Sequence, residues 1–376
     1  MKSCRRATMQ NFQFSTNFAQ RRKEQAVTQQ QVAEYVGVSK AAVSKWEQGL
    51  SYPDITLLPK LATYFNLSID ALLGYEPQMT KEHIQKMYAK LAKRFGEQPF
   101  EQVQLEIEEL LLEYYACFPF VLQMAQLYLN YYTTSANQAD VLDRVLLLCD
   151  RVISLSANYK LAFEAEMIKA YVMLLTGKPK EVLRTLGDEV SIHYGKEQLI
   201  AKALGMTGQA DKAKEIIQVS MYQYMLGTIS SATESLLMET NNSSHFDETV
   251  HRIEVMLDVF QVASLNVNAG LVFYLKAAMG YVMQQRNEQA LEMLRKYYRI
   301  CCDIVFPISL CGDQYYYLLD DWIARDINLG SQAPRDELSI KKDLLSSISN
   351  QPMFDSLKND KEFIALVANL KHHLQL

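Results

Sequence analysis

The sequence predicts an all-α protein in two parts, a small basic N-terminal module followed by a larger acidic helical body. Three observations carry that prediction. Glycine and proline are scarce, 14 and 9 among 376 residues. Apolar residues recur at helical spacing, while alternating strand-like runs bounded by turn residues are missing. Hydrophobic residues make up 49% and charged residues 22%, the balance of a chain that buries a core. The length suits two or three domains.

The elements follow in order. The opening MKSCRRATMQNF has basic residues with no apolar run behind them, so it does not read as a signal peptide. Met9 is an alternative start, and residues 1–13 are expected to be extended or disordered. A first helix, about Phe14–Gln25, turns Phe18 inward and carries Arg21, Arg22 and Lys23 near its end. Thr28 caps a second helix with Val32 and Ala33 on its apolar side. Gly37 stands where a left-handed residue ends that helix and turns the chain. Ser39 caps a third helix, Lys40–Gln48, which Gly49 ends; Asp54 caps a fourth (Ile55–Phe65) and Ser68 a fifth (Ile69–Leu73).

These residues form one continuous pattern. Thr28-Gln29, Ala33, Gly37-Val38-Ser39, Val43-Ser44, Trp46-Glu47 and Gly49 are followed by Pro53-Asp54-Ile55, Lys60-Leu61-Ala62, Phe65 and Leu72-Leu73-Gly74. Over about sixty residues this resembles the Cro/CI (Xre) helix-turn-helix family. The resemblance implies a five-helix, lambda-repressor-like DNA-binding domain over 14–74, with the third helix entering the major groove. By position, Lys40, Ala41, Ser44 and Lys45 become the base-reading residues: lysine suits guanine acceptors, Ala41 a thymine methyl and Ser44 several partners. Gln29 would help present backbone N–H groups to a phosphate, with Arg21, Lys23, Ser51 and Tyr52 as further phosphate contacts. Arg22 and Glu47 occupy the positions of an internal ion pair, and Trp46 reads as a packing residue. The alternative for Lys40 and Lys45 is an ordinary solvated surface.

Charge is unevenly spread. Residues 1–74 carry nine Lys+Arg against five Asp+Glu, a net of +4, while the rest carries 29 against 38, a net of −9. An acidic body lowers nonspecific affinity for DNA and leaves the basic module free to engage it.

Residues 75–83, with Pro77, read as a polar linker, and 84–376 as one helical domain. Amphipathic patterns over 84–95, 100–115, 120–132 and 140–154 are joined by short polar turns, which argues for stacked helical hairpins. Residues 171–186, 203–217 and 281–294 share a turn followed by a small or branched residue (Val182, Ala213, Ala290), and 245–257 fits more loosely around Val250. The anchors are 31, 37 and 40 residues apart, bracketing the ~34-residue tetratricopeptide repeat. A right-handed tetratricopeptide-like solenoid is therefore expected, with a HEAT-like or irregular stack as the alternative. In such a solenoid Lys169, Val172, Gln198, Lys202, Ser235, Glu239, Leu275 and Met279 would face a concave ligand groove, or else be ordinary interhelix residues. Tyr222, Tyr224 and Tyr315–Tyr317 read as filler between helices, with ligand recognition as the alternative, and 352–370 as a closing cap.

No catalytic constellation is visible. Phosphate-loop, nucleophile-elbow and zinc-protease motifs are absent, the six histidines are scattered, and no cysteine pair has metal-ligand spacing. The expectation is a non-enzyme with no cofactor and no metal. The six cysteines read as reduced thiols. No apolar stretch approaches the ~18 residues that span a bilayer, so a cytoplasmic protein is expected.

One small helix-turn-helix reads few base pairs, so specificity needs two heads on half-sites ~34 Å apart. A homodimer joined beyond about residue 84 is expected. The pairing of this module with a tetratricopeptide-like body resembles the peptide-pheromone-responsive regulators (the Rgg/PlcR/PrgX group). That resemblance implies control by a short signalling peptide; the alternative is a regulator whose body recruits a protein partner.

Overall fold

The computed structural model describes residues 13–75 and 78–376; the expected N-terminal extension with Cys4, and Pro77 in the linker, lie outside the described residues. The described residues form twenty α-helices and three short 3-10 turns, without a named strand among them. The fold is all-α.

The N-terminal module holds α1 (Phe14–Glu24), α2 (Gln29–Val36), α3 (Lys40–Glu47), α4 (Leu58–Phe65) and α5 (Ile69–Leu73). Each boundary has a local cause. Thr28 and Gln31 form a capping box at α2, satisfying two N–H groups that a helix start leaves orphaned. Gly37 ends α2 at φ +80°, a conformation that costs other residues steric strain. Ser39 and Ser68 cap α3 and α5 through the N–H groups of Ala42 and Ala71. The fourth helix starts later than its sequence pattern indicates. Pro59 has no N–H to return to the Ile55 carbonyl, so Ile55–Leu57 close as a 3-10 turn, tied by the Thr56 N–H to Asp54 at 2.8 Å. Phe14, Phe18, Val43, Trp46, Leu61 and Phe65 anchor one shared core.

The chain divides into two compact units. The first runs up to Ile84 and resumes over Pro99–Gly177; the second takes Gln85–Gln98 and Lys178–Leu376. Helix α6 (Lys81–Glu97) begins inside the stretch expected as linker, because the Thr80 hydroxyl accepts the His83 N–H at 3.2 Å and caps it.

The first unit continues with α7 (Phe100–Glu113), α8 (Phe118–Tyr131), α9 (Gln138–Leu155) and α10 (Tyr159–Leu175). Helix α8 is apolar nearly all round and packs against α7, α9 and α10.

The second unit contains α11 (Pro179–Leu186), α12 (Lys196–Met206), α13 (Ala210–Met238), α14 (Ser243–Val259), α15 (Val262–Leu265), α16 (Val267–Met283), α17 (Asn287–Asp303), α18 (Leu319–Asp326), α19 (Glu337–Ser349) and α20 (Lys361–Leu374). Helix α16 packs on both α13 and α17. At Gly280 the missing side chain lets the Phe246 ring lie directly on the α16 backbone. The closing segment forms a 3-10 turn (Pro352–Leu357) and α20, which packs on α17 and α19.

The three turns singled out by the repeat pattern are present, each with a left-handed residue: Gly177, Gly208 and Gln285. The helices around them are unequal, since α11 has 8 residues and α13 has 29. Cys117, Cys149 and Cys301 are buried, and burial pushes the Cys149 and Cys301 thiols up to about 12. All three are core residues, and Cys149 and Cys301 are poor in the reactive thiolate.

Candidate nucleic-acid interface

The geometry starts from α3. Val43 and Trp46 are buried on its inner side, with the Phe18 ring edge-on to the Trp46 indole at 6.2 Å. Packing fixes the rotation of the helix, and that fixes its outer face. Lys40, Ala41 and Lys45 are exposed there and Ser44 is half-buried, accepting a hydrogen bond from the Gln48 side chain at 3.1 Å. The four residues nominated for base reading share one side of one helix.

A buried polar knot holds α1, α2 and α3 together behind this face. The Arg22 guanidinium forms a two-pronged ion pair with Glu47, and both side chains are at least 85% withdrawn from solvent (15% and 10% exposed). Arg22 also donates to the Val27 carbonyl at 2.8 Å. Burial by itself opposes charge on Glu47, but hydrogen bonds from Arg22 and Gln29 and attraction to Arg22 and Lys23 outweigh it and hold the carboxyl below its usual range.

Gln29 has a side-chain partner that its sequence position did not indicate. Its side-chain amide donates to Glu47 Oε2 at 2.7 Å, so the side chain belongs to the knot. What Gln29 leaves for a phosphate is its backbone N–H at the start of α2. This link was missed because nothing in sequence spacing marks a hydrogen bond over 18 positions.

The nominated phosphate contacts lie at the module's surface. Lys23 and Tyr52 are exposed and Ser51 is half-buried. Arg21 is exposed but paired with Glu24 at 2.8 Å. The described part of the module carries six bases against five acids, because Lys2, Arg5 and Arg6 lie outside it. With Arg22 and Arg21 paired internally, the remaining positive charge sits at Lys23, Lys40, Lys45 and Lys60. The exposed Tyr35 and the Tyr64 ring, 4.6 Å apart, form an additional aromatic pair beside α2 that the sequence pattern does not single out.

The residues nominated for a ligand groove are divided between the two units and differ in exposure. Val172 and Met279 are core residues, 0% and 8% exposed, because they fall on the buried sides of α10 and α16; neither lines a surface. Lys169 is paired with Asp150. Gln198 and Lys202 are exposed on α12, while Ser235 on α13 and Glu239 just past its end are half-buried. Leu275 borders a cavity in the second unit. Among the described residues no His, Cys, Asp and Glu side chains gather as metal ligands, and no helix is long and apolar enough to cross a membrane.

The helix-turn-helix family matches residues 18–72. An HTH-type transcriptional activator, BcrR of Enterococcus faecalis, is 34% identical over 82 residues, covering 20% of this chain and 40% of that protein. The match thus spans less than half of the relative. No solved structure matches the chain. The N-terminal module is a helix-turn-helix domain of the Cro/CI type.

Proposed function

We propose that this chain is a sequence-specific DNA-binding transcriptional regulator acting as a homodimer, with α3 as the helix that reads bases. The outward face of α3 carries the proposal: two lysines without an ionic partner among the described residues, an alanine and a serine, on a helix whose rotation is locked by Val43 and Trp46. Lys40 and Lys45 would contact base edges together with Ala41 and Ser44, while Lys23, Ser51, Tyr52 and the Gln29 N–H would meet the flanking phosphates. Arg21 joins them by giving up a solvent-exposed pair, which costs little.

The dimer rests on two supports. A single head reads too few base pairs for useful specificity. The second unit also presents an uncovered apolar face. Helix α11 buries none of its residues, and Leu183, Val190, Ile192, Tyr194, Leu199 and Met206 are 55% to 99% exposed. A short helix with an apolar stripe gains its stability from packing, so an occupant is expected. Residues 178–206 carry five bases and four acids within a body that is otherwise strongly acidic. Two copies can approach through that near-neutral face without the repulsion the rest would impose.

The helical body would carry the control. Binding of a short peptide is the reading that the resemblance supports; recruitment of a protein partner is the alternative. Ligand coupling should stabilise the chain by roughly 2.7 kcal/mol at a hundredfold excess over Kd.

The test is selection of bound fragments from a random DNA pool, then titration of the winner at several salt concentrations. The reading expects steep salt dependence and a selected motif with two half-sites. Failure to enrich any sequence would refute it.

A further inference from the structure

The second unit contains a half-open cavity of about 810 Å3, lined by α15, α16, the end of α17, the irregular stretch that follows it, and α19. That volume lies within the range that holds a drug-sized molecule, about 300–1,000 Å3. Its lining is mainly apolar, with Leu271, Leu275, Ile300, Ile304, Leu310 and Ile340 among the contributing side chains. An apolar body of that size would be desolvated on entering.

Charge decides what kind of body. Three charged side chains line the cavity: Asp303, Arg335 and Asp343. Arg335 is bonded to Asp343, so its charge is already matched. Asp303 forms no ion pair with a described base. It is also the last residue of α17, a 17-residue helix with no basic residue in its final turn. The negative end of the helix dipole and the carboxylate therefore coincide at the cavity rim, where the lining cation among the described residues, Arg335, is already paired with Asp343. An anion would meet both and be repelled, whereas a cation would be attracted by both.

We propose that this cavity binds a drug-sized lipophilic monocation, its apolar body against α16 and its positive charge at Asp303 and the α17 C-terminus. This goes beyond the regulator reading, since it assigns a ligand class to a site lined by none of the DNA-binding module's residues. It neither needs nor excludes control by a peptide elsewhere.

The full chain can be tested without DNA, so failure here would leave the regulator reading standing. Tetraphenylphosphonium and tetraphenylborate have nearly the same shape and opposite charge. Isothermal titration should show saturable one-to-one binding of the phosphonium, at least tenfold tighter than the borate, together with a raised melting temperature. Asp303→Asn, at an exposed position that should fold normally, should weaken the phosphonium about tenfold and narrow the gap between the two ions. Leu275→Arg, which places a cation in the apolar wall, should abolish phosphonium binding; circular dichroism would verify its fold. Equal affinity for the two ions, no binding of the phosphonium, or unchanged affinity in Asp303→Asn would each overturn the proposal.

Discussion

Glu47 connects three helices with one carboxylate, and its environment makes the module sensitive to acid. Its pKa is lowered in the folded state, so its charge contributes stability that is fully present above the unfolded value of about 4.3 and is lost as pH falls through the folded one. Acid unfolding of the module should therefore steepen below about pH 4.3, and Glu47→Gln should flatten that dependence in a pH series of thermal melts. Arg22→Ala should destabilise the module by about 3 kcal/mol, because it strands a buried carboxylate. An unchanged denaturation midpoint would contradict that role. Lys40→Ala behaves oppositely: the side chain is exposed and has no ionic partner among the described residues, so the fold should persist while operator affinity drops by about 1–3 kcal/mol. Equal loss on operator and random duplex in an anisotropy titration would make Lys40 a phosphate contact instead. The ion pair and the inward Trp46 were legible in the sequence through their positions in the family pattern. The Gln29–Glu47 bond was not, because it depends on how α2 and α3 cross.

At the scale of elements, caps wrote the module's boundaries into the sequence. Thr28, Ser39 and Ser68 each hydrogen-bond the N–H that a capping residue should satisfy, and Gly37 supplies the turn of the helix-turn-helix. Ser39→Ala should thus lower module stability by about 1 kcal/mol and loosen the first turn of α3, which hydrogen exchange at Ala42 would report. The start of α4 was misread because a favourable N-cap at Asp54 hid the defect introduced by Pro59. In the body, turn positions were legible through Gly177 and Gly208, but helix length was not. Local pattern fixes where a helix can stop, whereas packing decides whether it does, and α13 continues for 29 residues. Counting back from the turns did not fix which side of each helix is buried, so Val172 and Met279, expected in a groove, belong to the core.

For the whole molecule, an all-helical chain with a compact N-terminal head was legible from periodicity, caps and charge. The division of the body into two units was not, since it is set by contacts among distant segments such as Tyr88 with the Pro334 carbonyl at 2.9 Å. The account predicts that the 43.1 kDa chain scatters light as a dimer, and that Leu183→Lys with Leu199→Lys shifts it to a monomer. A variant that stays dimeric would move the interface elsewhere; a monomeric parent chain would remove the dimer itself. The most direct test of the central claim is a hydroxyl-radical footprint of the full chain on its selected duplex. The account predicts two protected patches ~34 Å apart on one face, both lost in Lys40→Ala/Lys45→Ala. Protection that survives that double substitution, or no protection at all, would contradict it.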